Sequence, residues 1–409
     1  GIIMLSRWKF VKKIVVILSV VLIGVVLVSI FLFSHPKQDD NEQDIPVNQE
    51  ETNSDVKTAK LTFVGDLLFE SAYYNAINQG EDQDLYFSLV KNYFKQDDLS
   101  VGNMEVVIGN EEIPVNGGDN YNFAAPSWVG DLVSSLGFEV LSTANNHAFD
   151  QGSKGVISTI DYFQNHSDIM TVGTFKNKED VEELSILEVN GIRFGFLSYT
   201  MGTNMKMSSD EEYMVSLFKS NYSTTVTEED KEKMKEQILT LKENVDVTII
   251  LMHWGSEYTF TPNETQKDLA LFFNSLGVDI IVGNHSHNIQ PIEWVGDEHK
   301  TLVYYSLGNF VSADGDIPRT TQTFNNAYQI GLLSQLTVTK ENDTIKITDI
   351  TTDAIINYYD ANLRHFQLIP YQLYTNEYEV NHYRYQQGFT KDFILSTYQS
   401  VIPEEFRSI

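Results

Sequence analysis

The sequence predicts a layered α/β domain, and three observations predict it. Short apolar runs with strand character alternate with stretches of helical periodicity over most of the chain. The runs stop at residues able to bind a metal or move a proton. In open α/β sheets ligands collect beyond the carboxyl ends of the strands, so residues at those ends are the first candidates for a site.

The elements follow in order. Leu61, Thr62, Phe63 and Val64 read as a strand ending at Gly65 and Asp66, followed by a helix over residues 71–78. Residues 99–103 read as a short strand before Glu105, and 127–136 as a helix stopped by Gly137. A strand over 139–144 runs into Asn145, Asn146 and His147, and a helix over 154–164 comes next. Residues 184–199 form a hairpin with Asn190-Gly191 at its turn. A charged helix over 227–244 precedes a buried strand, 245–252, that ends at His253. The helix over 262–276 has Pro262 near its start and Gly277 as its stop. The apolar run 278–282 leads into Gly283-Asn284-His285-Ser286-His287, and a strand over 302–306 precedes Gly308-Asn309. Segments near 328–339 and 344–351 read as an antiparallel pair. With the strands side by side, their ends would form one cluster.

Composition narrows the function. At 409 residues, with 42% hydrophobic and 21% charged side chains, the chain is globular and long enough for one large domain or two ordinary ones. A formal net charge of -29 argues against general affinity for nucleic acid or anionic lipid. The chain has no cysteine, which excludes disulfides and thiolate sites. Any metal must sit on His, Asp, Glu or Asn, a donor set that suits Zn, Mn or Fe.

Residues 14–33 carry no charge and are dominated by Ile, Val, Leu and Phe, enough for one helical crossing of a bilayer. Arg7, Lys9, Lys12 and Lys13 precede them, so the positive-inside rule places residues 1–13 in the cytoplasm and everything after 33 outside. No small-x-small cleavage site follows, so the segment reads as an uncleaved signal-anchor in the cell membrane. Residues 34–59 read as an acidic linker, 60–352 as the main domain, and 353–409 as a C-terminal extension rich in Tyr and Phe.

His285 and His287 stand two apart; on extended backbone such residues point to one side and can converge on a metal. Asp66, Glu105, Asn146 and His253 each leave a strand end, and His147 is placed beside Asn146 to donate a proton. Each has a plainer reading when taken singly: a turn or cap at Asp66, a solvated carboxylate at Glu105, a polar turn at 145–150, a satisfied buried histidine at 253. Taken together they supply two ions, and two-metal sites hold their ions about 3.5–4 Å apart and clamp attacking and leaving oxygens. His35, His166, His299, His365 and His382 show no partner spacing. Residues 200–223 form a long insertion that reads as a solvent-exposed loop or a lid.

Six segments together resemble the capsule-synthesis protein CapA family, within the calcineurin-like metallophosphoesterase superfamily. They are Phe63-Val64-Gly65-Asp66, Asn103-Met104-Glu105, Ala144 through Gly152, His253-Trp254-Gly255-Ser256-Glu257-Tyr258, Gly283-Asn284-His285-Ser286-His287 and Tyr305 through Val311. The resemblance implies a four-layer α/β/β/α sandwich. It also implies a part in making or exporting poly-γ-glutamate, beside membrane-embedded synthase subunits. On the same ground Asp66 and His287 would bind a first divalent ion. Glu105 would bridge, Asn146, His253 and His285 would bind a second ion, and His147 would be the general acid. The superfamily's first motif is Asp-x-His, but this chain reads Asp66-Leu67-Leu68, so the first ion loses a ligand and weaker or single-ion occupancy is expected. The alternative is a metal-dependent hydrolase acting on a phosphate ester or amide of an envelope substrate.

Overall fold

Neighbouring residues of one apolar run part to opposite sides of a strand, and in this protein both sides are covered. The computed structural model describes residues 56–316 and 326–409, which belong to one compact unit, Ser54–Ile409. The expected anchor at 14–33 and nearly all of the linker lie outside the described residues. Among those described, no helix is long and apolar enough to cross a membrane.

In chain order the elements begin with β1 (Val56–Leu67), α1 (Ser71–Asn78), α2 (Lys91–Lys95), β2 (Leu99–Met104), β3 (Asn116–Gly117), β4 (Phe123–Ala124), α3 (Ser127–Leu136) and β5 (Val140–Ser142). They continue with α4 (Gly152–His166), β6 (Met170–Val172), β7 (Ser185–Val189), β8 (Ile192–Thr200), α5 (Glu228–Lys242), β9 (Val247–His253), α6 (Glu264–Ser275) and β10 (Ile280–Asn284). The last are β11 (Ile292–Val295), β12 (Thr301–Tyr304), β13 (Asn309–Val311), β14 (Ile330–Glu341), β15 (Thr344–Tyr358), β16 (Gln367–Pro370), α7 (Asn376–Asn381) and α8 (Lys391–Val401).

Among the described residues the strands form two large sheets and a small two-stranded one, β3-β4, so the strand ends of the site do not lie in a single row. The first has the order β16-β15-β14-β1-β2-β5-β6 with β13 beside β1; the second has the order β11-β12-β10-β9-β8-β7. Within the first, β1, β2, β5 and β6 run parallel. Within the second, β8, β9, β10 and β12 run parallel, flanked by the antiparallel β7 and β11. Asp66 lies near the end of β1, and Glu105 and Asn146 follow β2 and β5 of the first sheet; His253 ends β9, and His285 and His287 follow β10 of the second.

Three apolar seams hold this arrangement. Leu61, Phe63, Val101 and Val140 of the first sheet meet Phe194, Ile249, Leu251, Ile280 and Val282 of the second. Val64 and Leu141, one residue out of phase, join Tyr73 of α1, Phe94 of α2 and Val133 of α3, as does Leu67 beyond the register shift between Phe63 and Asp66. Ile250, Met252 and Ile281 join Met234 and Ile238 of α5 and Leu269 and Phe273 of α6. Period-two alternation with both faces buried is why these strands read as unbroken apolar runs.

Local signals set the ends. Asn190 (φ +51°) and Gly191 (φ +77°) make the β7–β8 turn. Thr227 and Asp230 form a capping box on α5, as Asn263 and Gln266 do on α6. Pro262 therefore stands before the cap rather than inside the first turn. β1 begins at Val56, inside the expected linker, because its start pairs with the far end of β14 (Val56 opposite Glu341).

The boundary expected at 352/353 falls inside β15. The segment beyond it adds β16 to the first sheet, and Phe389, Ile394, Tyr398, Ile402 and Phe406 join the seam that holds Ala354 and Ile356. His382 is buried there with both ring nitrogens engaged. Nε2 donates to the Asn357 carbonyl at 3.0 Å, and Nδ1 accepts from the Arg384 N–H at 3.0 Å. Burial holds its pKa at about 4, below the ordinary value of 6.5. The unfolded chain binds the extra proton first, so the stability His382 contributes is complete above about pH 6.5 and is lost as pH falls toward about 4. Denaturant midpoints of His382→Gln should depend less on pH than wild type across that window; equal slopes would refute the assignment.

Candidate metal centre

Gly65 lets two strand ends approach closely enough to build the first corner of the site. A Cβ at residue 65 would lie 1.9 Å from the Gly308 carbonyl oxygen. With hydrogen there, the Asp66 N–H donates to that oxygen at 2.9 Å, and Asp66 stands in register with Asn103 on one side and Asn309 on the other. Asn103 Nδ2 donates to Asp66 Oδ1 at 2.8 Å, and the His285 N–H to Asp66 Oδ2 at 3.3 Å.

The six residues expected to share metals come together, with Asp66 and Glu105 fully buried. Ligand atoms of Glu105, His253 and His285 lie within 4.8 Å of one another, as do those of Asp66, Glu105 and His287. Glu105 is common to both groups. Asn146 Oδ1 is 2.8 Å from His253 Nε2, which is 3.0 Å from His285 Nδ1 and 3.3 Å from Glu105 Oε1. His287 Nδ1 lies 3.4 Å from Asp66 Oδ2, and its Nε2 3.8 Å from Glu105 Oε1.

The donor set fits a divalent cation. Neither Glu105 oxygen has a hydrogen-bond partner among the described residues, an arrangement that is costly without a positive charge nearby. Burial, reinforced by Asp66, pushes the Glu105 pKa well above the usual carboxylate range. Burial pushes His253 and His285 well below the ordinary imidazole value, with other site histidines adding to it, which leaves neutral rings with lone pairs to donate. Burial also opposes charge on His287, but the hydrogen bond and charge of Asp66 outweigh it and raise its pKa. His287 Nδ1 contacts Asn309 Oδ1 at 2.8 Å, and Asn309 Nδ2 donates to the Tyr328 carbonyl at 3.0 Å. With its amide oriented this way, Asn309 accepts the Nδ1 proton and leaves the Nε2 lone pair as the one that could hold an ion.

Both histidines of the His-x-His pair reach the site, but not from extended backbone. β10 ends at Asn284, and His285 (φ +95°) and His287 (φ +53°) both occupy left-handed conformations in the turn beyond it. Non-glycine residues hold such conformations only where the surroundings impose them. Here the Tyr258 N–H donates to the Ser286 carbonyl at 2.7 Å, and Ser286 Oγ to the Asn288 carbonyl at 2.6 Å. The two rings therefore diverge, His285 into the Asn146 side and His287 into the Asp66 side. Leu68, which stands where the Asp-x-His motif has its histidine, is buried in the helix-side seam and offers no donor.

His147 adjoins the cluster through Asn146, and its Nδ1 is 2.8 Å from Asp150 Oδ2. Asp150 Oδ2 also accepts the Phe123 N–H at 2.7 Å, and the Phe123 ring meets the imidazole edge-on. With Nδ1–H donated to Asp150, Nε2 is free to carry or accept a proton. Asn103, Asp150, Asn204 and Asn309 are the site residues that sequence reading assigns no role.

The sequence profile of the bacterial capsule synthesis protein PGA_cap matches residues 60–314, more than half of the chain and every strand end that builds the site. The chain belongs to the PGA_cap family. Among curated relatives, the PGA biosynthesis protein CapA of Bacillus subtilis is 29% identical over 255 residues, 62% of this chain and 63% of that one. The capsule biosynthesis protein CapA of Bacillus anthracis is 32% identical over 258 residues, 62% of this chain and 60% of that one. The matching part of this chain thus spans less than two thirds of either relative's length. Among solved structures, a novel phosphatase from Mycoplasma pneumoniae aligns with a TM-score of 0.44 at 16% identity, over 74% of this chain and 94% of that chain. The calcineurin-like phosphoesterase YfkN from Bacillus subtilis aligns with a TM-score of 0.40 at 14% identity, over 73% and 90%.

Proposed function

We propose that this protein is a membrane-anchored, extracytoplasmic subunit for the synthesis or export of a poly-γ-glutamate capsule, built on a metallophosphoesterase-like α/β/β/α sandwich with a dinuclear metal site. The observation that carries the reading is the buried Glu105 shared by two donor clusters in a PGA_cap family member. Asp66, Glu105 and His287 would hold one ion, and Glu105, Asn146, His253 and His285 the other, as Mn, Zn or Fe. Such ions polarise an oxygen or supply a hydroxide near neutral pH. The residues themselves orient the donors, exclude water and, at His147 Nε2, hold a proton. Partners would be membrane-embedded synthase subunits and the anionic polymer. With a net charge of -29 the chain repels a polyanion on average, so contact would run through the metal centre or bridging divalent cations.

A second reading, a metal-dependent hydrolase of an envelope phosphate ester or amide, is favoured by one observation. The His147–Asp150 pair is arranged for proton transfer, a feature that scaffolding does not require. The test combines metal analysis of the purified protein with turnover of phosphodiester and γ-glutamyl substrates. If hydrolysis occurs, His147→Ala should lower it by about 10²–10⁴-fold. Stoichiometric metal without turnover, together with co-purifying membrane proteins, supports the assembly role. A protein that binds no metal, and capsule formation that survives loss of His253 or His287, would end the metal-centre reading.

A further inference from the structure

The insertion between β8 and α5 is a strap tied to both sheets rather than a free loop. Met207, Met214 and Val215 pack with Ala144, Phe149, Val156 and Ile160, the side of the first sheet that carries Asn146 and His147. Backbone bridges join Thr174 to Val215 and Thr200 to Leu217. Near its start the strap bonds to the backbone of two candidate ligands drawn from different sheets. The Met201 N–H donates to the His253 carbonyl at 3.2 Å, and the Asn204 N–H to the Asn146 carbonyl at 2.8 Å. The strap is fixed behind these contacts by Asn221, whose Oδ1 accepts the Thr203 N–H at 3.1 Å and whose Nδ2 donates to Thr203 Oγ1 at 3.0 Å.

Asn204 also reaches the site with its side chain. Its Oδ1 accepts from Asn146 Nδ2 at 3.5 Å, and its Nδ2 lies 3.4 Å from His147 Nδ1. A carboxamide binds a metal through oxygen, so its nitrogen must be satisfied elsewhere. The acceptor offered by Asn204 directs the nitrogen of Asn146 outward and its oxygen toward His253 and the ion position. The reversed amide would place Nδ2 there instead and remove a donor. The contact with His147 is secondary, because Nδ1–H is already given to Asp150.

We infer that Asn204 is a positioning residue for the second ion: the strap it stands on aligns Asn146 from one sheet with His253 from the other and sets the Asn146 amide oxygen-inward. This rests on the metal reading of the site given above. It ascribes to residues 201–204 a role that nothing in the ligand pattern indicates, and it accounts for the contacts that Asn204, itself exposed, makes to Asn146 and His147.

The full chain, purified in detergent, would be titrated with Mn²⁺ as wild type, Asn204→Leu, Asn204→Asp and His285→Ala, with denaturant midpoints measured free of metal. Asn204→Leu keeps the size and removes the acceptor. It should weaken by about 10- to 100-fold the binding step that is lost in His285→Ala. Asn204→Asp keeps an acceptor for Asn146 Nδ2 and should retain that step. The metal-free midpoints of both Asn204 variants should match wild type, which a merely structural residue would not show. Unchanged Mn²⁺ binding in Asn204→Leu overturns the inference while leaving the metal centre standing. Equal loss in the Leu and Asp variants also overturns it. A wild type that binds no Mn²⁺ overturns it together with the metal reading.

Discussion

Exchange of Glu105 for glutamine is expected to have two opposite effects. Metal-free protein should become more stable, on the order of 1 kcal/mol, because a carboxylate buried without a donor beside Asp66 is replaced by a neutral amide of the same size. Stabilisation by added metal should vanish. For wild type, an ion at one hundred times its Kd stabilises the fold by about 2.7 kcal/mol. Glu105 is the donor common to both clusters, so in the proposed dinuclear site its loss would remove a ligand from each ion at once. Denaturant midpoints with and without Mn²⁺ measure both effects. A variant that keeps the metal-dependent shift would show that Glu105 is not the bridge.

Gly65→Ala should be the most damaging single methyl group near the site. The added carbon would sit 1.9 Å from the Gly308 oxygen and 2.9 Å from both the Gly308 carbon and the Leu307 oxygen. All three are backbone atoms of the segment leading into β13, so no side-chain rotation relieves the contact. Over-packing at a site that can yield costs about 1–3 kcal/mol, and this one should reach or exceed about 3 kcal/mol. β1 and β13 would have to separate, breaking the Asp66 N–H bond to Gly308 and displacing the carboxylate. Thermal or chemical unfolding of Gly65→Ala checks this, and a midpoint close to wild type would show that the strands can part cheaply.

Much of the site was legible in the sequence because strand ends are readable. Residues such as 245–252 and 278–282 form apolar runs that only a doubly covered strand requires, and the polar residue that stops each run marks the site. The same property hides the partition into two sheets. Parallel strands buried on both faces look alike whichever sheet they occupy, and no local signal separates β2 from β9. The short strands β6, β13 and β16, of three or four residues each, carry too little pattern to be read. The supporting residues were missed for another reason. Asp150 resembles a helix-start carboxylate, yet its Oδ2 is taken by His147 and the Phe123 N–H. Asn103 and Asn309 sit at strand ends like the ligands, but which amide faces a histidine and which an aspartate depends on register. Asn204 lies in an insertion with no periodicity, and its contacts exist only once the strap has crossed between sheets.

Assembling the centre from two sheets also has a consequence for the order of folding. Asp66 and His285 are 219 positions apart in the chain. A nascent chain folding from its N-terminus would hold Asp66, Glu105 and Asn146 long before His253, His285 and His287 are synthesised. Each donor cluster draws on both halves, so on the same reading a partly made protein would lack a complete site for either ion. On the metal reading proposed above, an ion would be captured only when the last parallel strands have docked, and its arrival would mark a finished molecule.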